Sequence, residues 1–268
     1  MKEVLAAKLI PLSSNDEKYN FAREFLQELI LQIMDRQGYF AHLAFVGGTA
    51  LRILYDLPRF SEDLDFCLIK KNGFRFDQLL ATIKRELGLN GFEVEAAAAE
   101  KKKTVMGEFI RFKGLLFELG LTSHKNEKLF IKLEIDARPP AGYRTEIAVV
   151  NKNFLFKVQS YDLPSLFASK LHALLFRKYT KGRDYYDLLW FLSRKTPVNY
   201  QLLSAAAQQT EGKNFKLDAA ALKQLLIDKI NRTDFHRVLS DATLFLGHKE
   251  EREYFKKDYF LAAAEKGL

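Results

Sequence analysis

Residues 42–68, HLAFVGGTALRILYDLPRFSEDLDFCL, constrain the fold more than any other part of the chain. HLAFV reads as a short buried strand that Gly47-Gly48 ends. TALRILYD reads as a helix of about two turns. Leu57-Pro58 stops it, because the residue before a proline is pushed out of the helical region. FSEDLDFCLI then reads as a second strand. Strand, glycine turn, helix and strand in this order fit an α/β core.

Two acids interrupt that second strand. Side chains alternate faces along a strand, so Arg59, Ser61, Asp63 and Asp65 are expected on one face and Phe60, Leu64 and Phe66 on the other. Carboxylates in a core-like strand are costly to bury without a counter-charge. Two residues apart, their Cα atoms are about 6.5 Å from one another. Their oxygens can converge on divalent cations, which sit about 3.5–4 Å apart in two-metal sites. Mg²⁺ or Mn²⁺ is the expected ion.

The glycines supply the complementary half. A strand that runs through Gly47 and Gly48 into a helix leaves backbone N–H groups at the positive end of the helix dipole. Without side chains there, a phosphate can approach the backbone closely. Thr49 adds a hydroxyl and a candidate N-cap. A lone Gly-Gly before a helix is usually a turn, and a lone D-x-D is usually solvated charge. Together, in this order, they suit a nucleoside triphosphate (NTP) bound with magnesium.

A third acid is expected on FIKLEIDA. Lys132, Glu134 and Asp136 share one face of that strand, and Ile131, Leu133 and Ile135 the other. Glu134 or Asp136 can complete the metal site or act as general base on an acceptor hydroxyl. Lys132 can sit near phosphate. A plain amphipathic strand would show the same alternation.

The rest of the chain divides by texture. SSNDEKYNFAREFLQELILQIMDRQG reads as a capped amphipathic helix stopped by Gly38, and FRFDQLLATIKREL as a helix with Gly88 as its C-cap. Segments between about 91 and 157 alternate and are rich in β-formers. From about 162 onward the pattern is helical. The expected architecture is an α/β (α+β) domain over 1–158 with a mixed sheet, followed by an all-helical domain over 159–268.

Composition narrows the function classes. Lys and Arg number 42 against 34 Asp and Glu, a net charge of +8 that favours an anionic partner. A single cysteine, Cys67, excludes an internal disulfide framework and fits a reducing compartment. Neither a signal-peptide core nor a membrane-length apolar run is present, so a cytoplasmic protein without membrane contact is expected. The five histidines, His42, His124, His172, His236 and His248, show no metal-ligand spacing, which argues against zinc. No Walker P-loop or G-x-G-x-x-G occurs, so ordinary NTPase and dinucleotide readings fail.

The motif G-G-T-A-L followed by R-x-S-x-D-L-D-F resembles the AbiEii/AbiGii-type toxin family of the polymerase-β-like nucleotidyltransferase superfamily. I-K-L-E-I at 131–135, S-K-L-H-A-L at 169–174 and R-D-Y-Y-D-L at 183–188 follow in the family's order, so the resemblance spans about 45–190. It implies a nucleotidyltransferase core with a helical C-terminal domain, Mg²⁺-dependent transfer from an NTP, tRNA 3′ ends as acceptors, a cognate antitoxin and a link to phage defence. It further implies that Asp63 and Asp65 hold the metals and that Ser61 lies beside the triphosphate. It gives Lys170 a phosphate contact and makes Asp184 the late catalytic acid. Where many superfamily members carry Gly-Ser, this chain has Gly48-Thr49, which keeps the hydroxyl.

The same positions can be read without the family. Lys170 lies close to the apolar stripe of its helix and needs an anion or must snorkel. Asp184 and Asp187 lie one turn apart near a helix N-terminus, where they also suit the dipole. Both Lys170 and Asp184 flank RKYTKGR, where Arg177, Lys178, Lys181 and Arg183 can steer a triphosphate or an RNA backbone, with Tyr179, Tyr185 and Tyr186 as stacking candidates. The reading reached is a Mg²⁺-dependent nucleotidyltransferase with Gly47, Gly48, Thr49 and Ser61 around the phosphates and Lys170 and Arg59 as counter-charge. Two alternatives remain at this level. One is a kinase that phosphorylates itself at Ser61 or a partner; the other is an inactive module of this fold that binds RNA or an antitoxin.

Overall fold

The computed structural model describes residues 1–96, 100–101, 104–212, 215–243, 245–246 and 249–267; His248 lies outside them. The chain forms two compact units. The first comprises 1–54, 61–139 and 147–160, and the second 55–60, 140–146 and 161–268. A single cut along the sequence therefore does not separate them, because two short segments that precede residue 147, 55–60 and 140–146, belong to the second unit.

The first unit is a mixed α/β structure. Its strands are β1 (Leu43–Val46), β2 (Leu64–Leu68), β3 (Val94–Glu95), β4 (Glu100–Lys101), β5 (Val105–Phe112), β6 (Leu129–Asp136), β7 (Thr145–Asn151) and β8 (Leu155–Tyr161). They join in the order β3-β5-β6-β2-β1-β8-β7, with β4 pairing onto β5. β2 runs antiparallel to β1 and parallel to β6, and β5 runs antiparallel to β6. β6 shows the two-residue period most plainly. Leu129, Ile131, Leu133 and Ile135 are fully buried, whereas Lys132, Glu134 and Asp136 on the other face are half-buried.

Helices of this unit are α1 (Lys2–Leu9), α2 (Asn15–Arg36), α3 (Gly47–Tyr55), α4 (Phe76–Leu89) and α5 (Leu115–Glu118). Ser14 caps α2 by accepting from the Glu17 N–H at 3.1 Å. Gly38, at φ 74°, follows its end. The second half of α2 is largely buried, with Arg23, Gln27, Glu28 and Gln32 buried among its apolar residues, and the helix packs on β6 and α4. α4 runs through Gly88 rather than stopping there. Gly91, at φ 86°, takes the left-handed position that the sequence assigned three residues too early.

The second strand of the opening unit is shorter than expected. β2 begins at Leu64, so Ser61 and Asp63 precede it and Arg59 shares no strand face with them. The cause is local. The carbonyls of Phe60, Ser61 and Asp63 accept from the side chains of Arg59, Gln27 and Thr49, respectively. A side-chain donor takes the place of a ladder partner at each.

The second unit is helical: α6 (Leu163–Phe176), α7 (Gly182–Ser193), α8 (Tyr200–Glu211), α9 (Ala219–Asn231), α10 (Phe235–Ala242) and α11 (Lys257–Gly267). Asp162 caps α6 and Asn199 caps α8. Phe167 of α6 stacks on Phe191 of α7 at 4.4 Å between ring centroids. α7 and α10 approach closely at Gly182, where a β-carbon would lie 2.2 Å from the Val238 carbonyl. The terminal stretch contains two elements, a 3-10 segment (Lys249–Tyr254) and α11, with buried Phe255 between them. Among the described residues, no helix is long and apolar enough to cross a membrane.

Candidate active site

The antiparallel β1–β2 pair brings the C-terminal end of β1 beside the N-terminal end of β2. The Gly47-Gly48 turn therefore faces the Asp63–Asp65 segment. The approach is close: a β-carbon on Gly47 would lie 2.3 Å from Asp65 Oδ2. Gly47 also has φ 82°, a conformation that L side chains rarely adopt. Both observations require glycine at this position.

Thr49 ties the second aspartate to the same turn. It is fully buried, and its hydroxyl donates to the Asp63 carbonyl. The sequence suggested an N-cap there, but α3 already begins at Gly47 and the hydroxyl is committed to the neighbouring loop. Thr49 thus positions Asp63. Ser61 is half-buried, with its carbonyl held by Gln27 Nε2 at 3.2 Å.

The parallel β2–β6 register sets Asp65 directly beside Glu134, with Gly107 of β5 next in the same row. Glu134 accepts from Lys132 Nζ at 2.8 Å. That bond is the first cause holding the lysine above its ordinary pKa; burial opposes it, and Asp63 and Asp65 add to it electrostatically. One ammonium thus feels three carboxylates: Asp65 and Glu134, neighbours in the β2–β6 register, and Asp63, which precedes β2. Asp136 lies one row on, beside Cys67, and accepts from the Arg138 N–H at 2.8 Å. Burial raises its pKa, with that N–H opposing. The register distinguishes the two acids, which the sequence reading ranked with Glu134 first and Asp136 as alternate: Glu134 is the neighbour of Asp65, and Asp136 is not.

Among the described residues, no group of three or more His, Cys, Asp or Glu side chains is already arranged around a cation position. The donor chemistry nevertheless fits a hard divalent ion, because Asp63 and Asp65 are carboxylates acting on the same ammonium and Glu134 can join by exchanging its lysine. The contact between Gly47 and Asp65 leaves no room for a side chain that would block such an ion.

Three further candidates lie in the helical unit. Arg59 is 1% exposed and makes a two-pronged ion pair with Asp187, Nε–Oδ1 at 2.6 Å and Nη2–Oδ2 at 2.8 Å. Lys170 Nζ lies 2.7 Å from the same Asp187 Oδ2. Asp184 pairs instead with Arg177 at 2.5 Å. Burial alone would raise the Asp187 pKa, but Arg59 and then Lys170 outweigh it and hold the group down at about 2. Sequence reasoning passed over Asp187 as a site residue. The available signal was an acid inside the apolar run YYDLLWFL, which cannot be buried without cations.

Comparison with known proteins bears on the family and the fold. Residues 29–257 match the family described as "Nucleotidyl transferase AbiEii toxin, Type IV TA system". No curated protein is detectably similar in sequence. Among solved structures, JHP933 from Helicobacter pylori superposes with a TM-score of 0.56 at 20% identity, covering 92% of this chain and 90% of that one. A candidate nucleotidyltransferase from H. pylori gives 0.57 at 21% identity, covering 91% and 92%. At such identities these two likenesses speak for the fold, a nucleotidyltransferase core in a mixed α/β chain. The family match extends over most of the sequence, from within α2 to the start of α11, and takes in the glycine turn, the aspartate segment and the Glu134 strand: the chain belongs to the AbiEii nucleotidyltransferase toxin family of type IV toxin–antitoxin systems.

Proposed function

We propose that this nucleotidyltransferase binds an NTP with Mg²⁺ at the glycine turn and the Asp63–Asp65 segment, and transfers the nucleotidyl group to an RNA hydroxyl, with a tRNA 3′ end as acceptor. The observation that carries the reading is the contact between Gly47 and Asp65, which sets the backbone of the glycine turn directly against a carboxylate of the kind that ligates Mg²⁺. Bound Mg²⁺ would neutralise charge and polarise the α-phosphate. Backbone N–H groups of Gly47, Gly48 and Thr49 hold the β- and γ-phosphates, and Lys132, released from Glu134, adds a counter-charge. Asp63 and Asp65 supply metal ligands, with Asp136 the alternate to Glu134 as third acid. The acceptor oxygen forms its bond to the α-phosphorus as the bond to the β-phosphate bridging oxygen breaks. Pyrophosphate leaves, and Glu134 takes the acceptor proton.

An RNA acceptor suits the net charge of +8. It also suits the loop after α6, where Tyr179 is 58% exposed and lies under both Arg177 and Lys181 at 5.4 and 5.6 Å. The same proposal includes a neutralising antitoxin, which the type IV toxin–antitoxin family description supports, and a role in phage defence, which the sequence resemblance implies. Lys170, Asp184 and Arg59 enter it as candidates whose alanine variants need a folding control.

Incubating the protein with bulk tRNA and either α- or γ-labelled NTP tests this. Label from the α position on RNA, lost in Asp63→Ala with Asp65→Ala, is the expected result. Label from the γ position on the protein would favour phosphoryl transfer, with Ser61 the first position to map. RNA binding with neither label transferred would favour an inactive binding module.

A further inference from the structure

The helical unit carries a second cavity that the proposed chemistry does not use. It measures about 600 Å³, within the range of roughly 300–1,000 Å³ typical of small-molecule sites. Helix α7, the 3-10 segment and α11 enclose it. Its walls are aromatic: Tyr186 and Trp190 from α7, Phe255 behind them, and Tyr254 and Tyr259 at the more open side.

Three polar features break that apolar lining. Glu251 accepts from the Tyr186 hydroxyl through Oε1 at 3.0 Å, while its Oε2 is buried with no hydrogen-bond partner. An unsatisfied buried carboxylate oxygen is costly and calls for a donor. Lys195 and Lys266 line the same cavity, are exposed, and form no ion pair among the described residues. A ligand that satisfies all of these has a flat ring to lie among aromatic faces, an N–H on its edge for Glu251, and an anionic end for the lysines. A simple organic cation fits less well, because two lysines oppose it. A fatty acid fits the apolar walls and the lysines but leaves Glu251 Oε2 unpaired.

We propose that this cavity is a binding site for a purine mononucleotide, with the base between the aromatic side chains, a ring N–H or exocyclic amine on Glu251 Oε2, and the phosphate at Lys195 and Lys266. The site is separate in sequence and chemistry from the Gly47–Asp65 turn and does not depend on the reaction proposed there.

Trp190 is the only tryptophan of the chain and lines the cavity, so its fluorescence reports occupancy directly. The experiment titrates the full-length protein, and the Asp63→Asn/Asp65→Asn variant, with AMP, GMP, ribose 5-phosphate and dodecanoate. Saturable quenching by AMP or GMP, equal in both proteins and at least about tenfold weaker in Glu251→Gln, is the expected result, the loss of one charge-assisted hydrogen bond. Should Glu251→Gln not fold, Lys266→Glu, at an exposed side chain, carries the same test through the phosphate. No response to either nucleotide, an equal response to ribose 5-phosphate, quenching by dodecanoate alone, or unaltered affinity in the variant would overturn the assignment. Quenching lost in Asp63→Asn/Asp65→Asn would assign the nucleotide to the other site and overturn it as well.

Discussion

Gly47 and Asp65 touch: the space a β-carbon on the glycine would need is already taken by the aspartate carboxylate, at 2.3 Å. Two strands paired antiparallel, one running into a glycine turn and the other flanked by Asp63 and carrying Asp65, place glycine backbone and carboxylates side by side. Gly47→Ala should therefore fail in two ways. Its positive φ costs about 1–3 kcal/mol for any other residue, and its methyl group displaces Asp65. Urea denaturation should show the stability loss, and calorimetric titration with Mg²⁺–NTP should show no binding even where the variant remains folded.

Thr49 acts through Asp63. Thr49→Val removes the hydroxyl that donates to the Asp63 carbonyl and should destabilise the protein by about 1–3 kcal/mol. Mn²⁺ affinity should fall with it, because the aspartate loses its anchor. Thr49→Ser keeps the donor and should retain most of both properties.

The two candidate third acids should separate. Glu134 sits beside Asp65 in the β2–β6 register, and Asp136 one row beyond beside Cys67. Glu134→Gln should abolish label transfer from α-labelled NTP, and Asp136→Asn should reduce it by about tenfold or less, a difference of one kcal-scale interaction. The reverse order would move the acidic site one row along the sheet.

Asp187 should matter more to folding than its absence from the motif reading implies. Asp187→Asn leaves Arg59 buried without its counter-charge and should cost about 3–5 kcal/mol. In the wild-type protein the folded state resists protonating this group. The contribution is present in full above the ordinary value of 3.8 and is lost as pH falls through about 2. It amounts to about 2 kcal/mol by linkage. Urea midpoints measured from pH 5 down to pH 2 should fall in the wild type and stay flatter in Asp187→Asn.

How far the sequence could be read follows from which forces act locally. β6 was legible because a strict two-residue alternation of Ile, Leu and charge has one explanation, and the start of α2 because Ser14 is a strong cap. The α/β core followed by helices was legible for the same reason. The true start of β2 was not, because it depends on Arg59, Gln27 and Thr49 side chains capturing three carbonyls. Neither was the Arg59–Asp187 pair, whose members are 128 residues apart and which places Arg59 in the buried interior of the second unit. The choice between Glu134 and Asp136 required a strand register that no single strand contains.

The most direct test of the central claim is Mn²⁺ binding, followed by electron paramagnetic resonance in the presence of a non-hydrolysable NTP analogue, in the wild type and in Asp65→Asn. The wild type should bind Mn²⁺ and the variant, folded to the same degree by circular dichroism, should not. Equal Mn²⁺ binding by both proteins would contradict the assignment of the β1 turn and the β2 acids as a metal–nucleotide site.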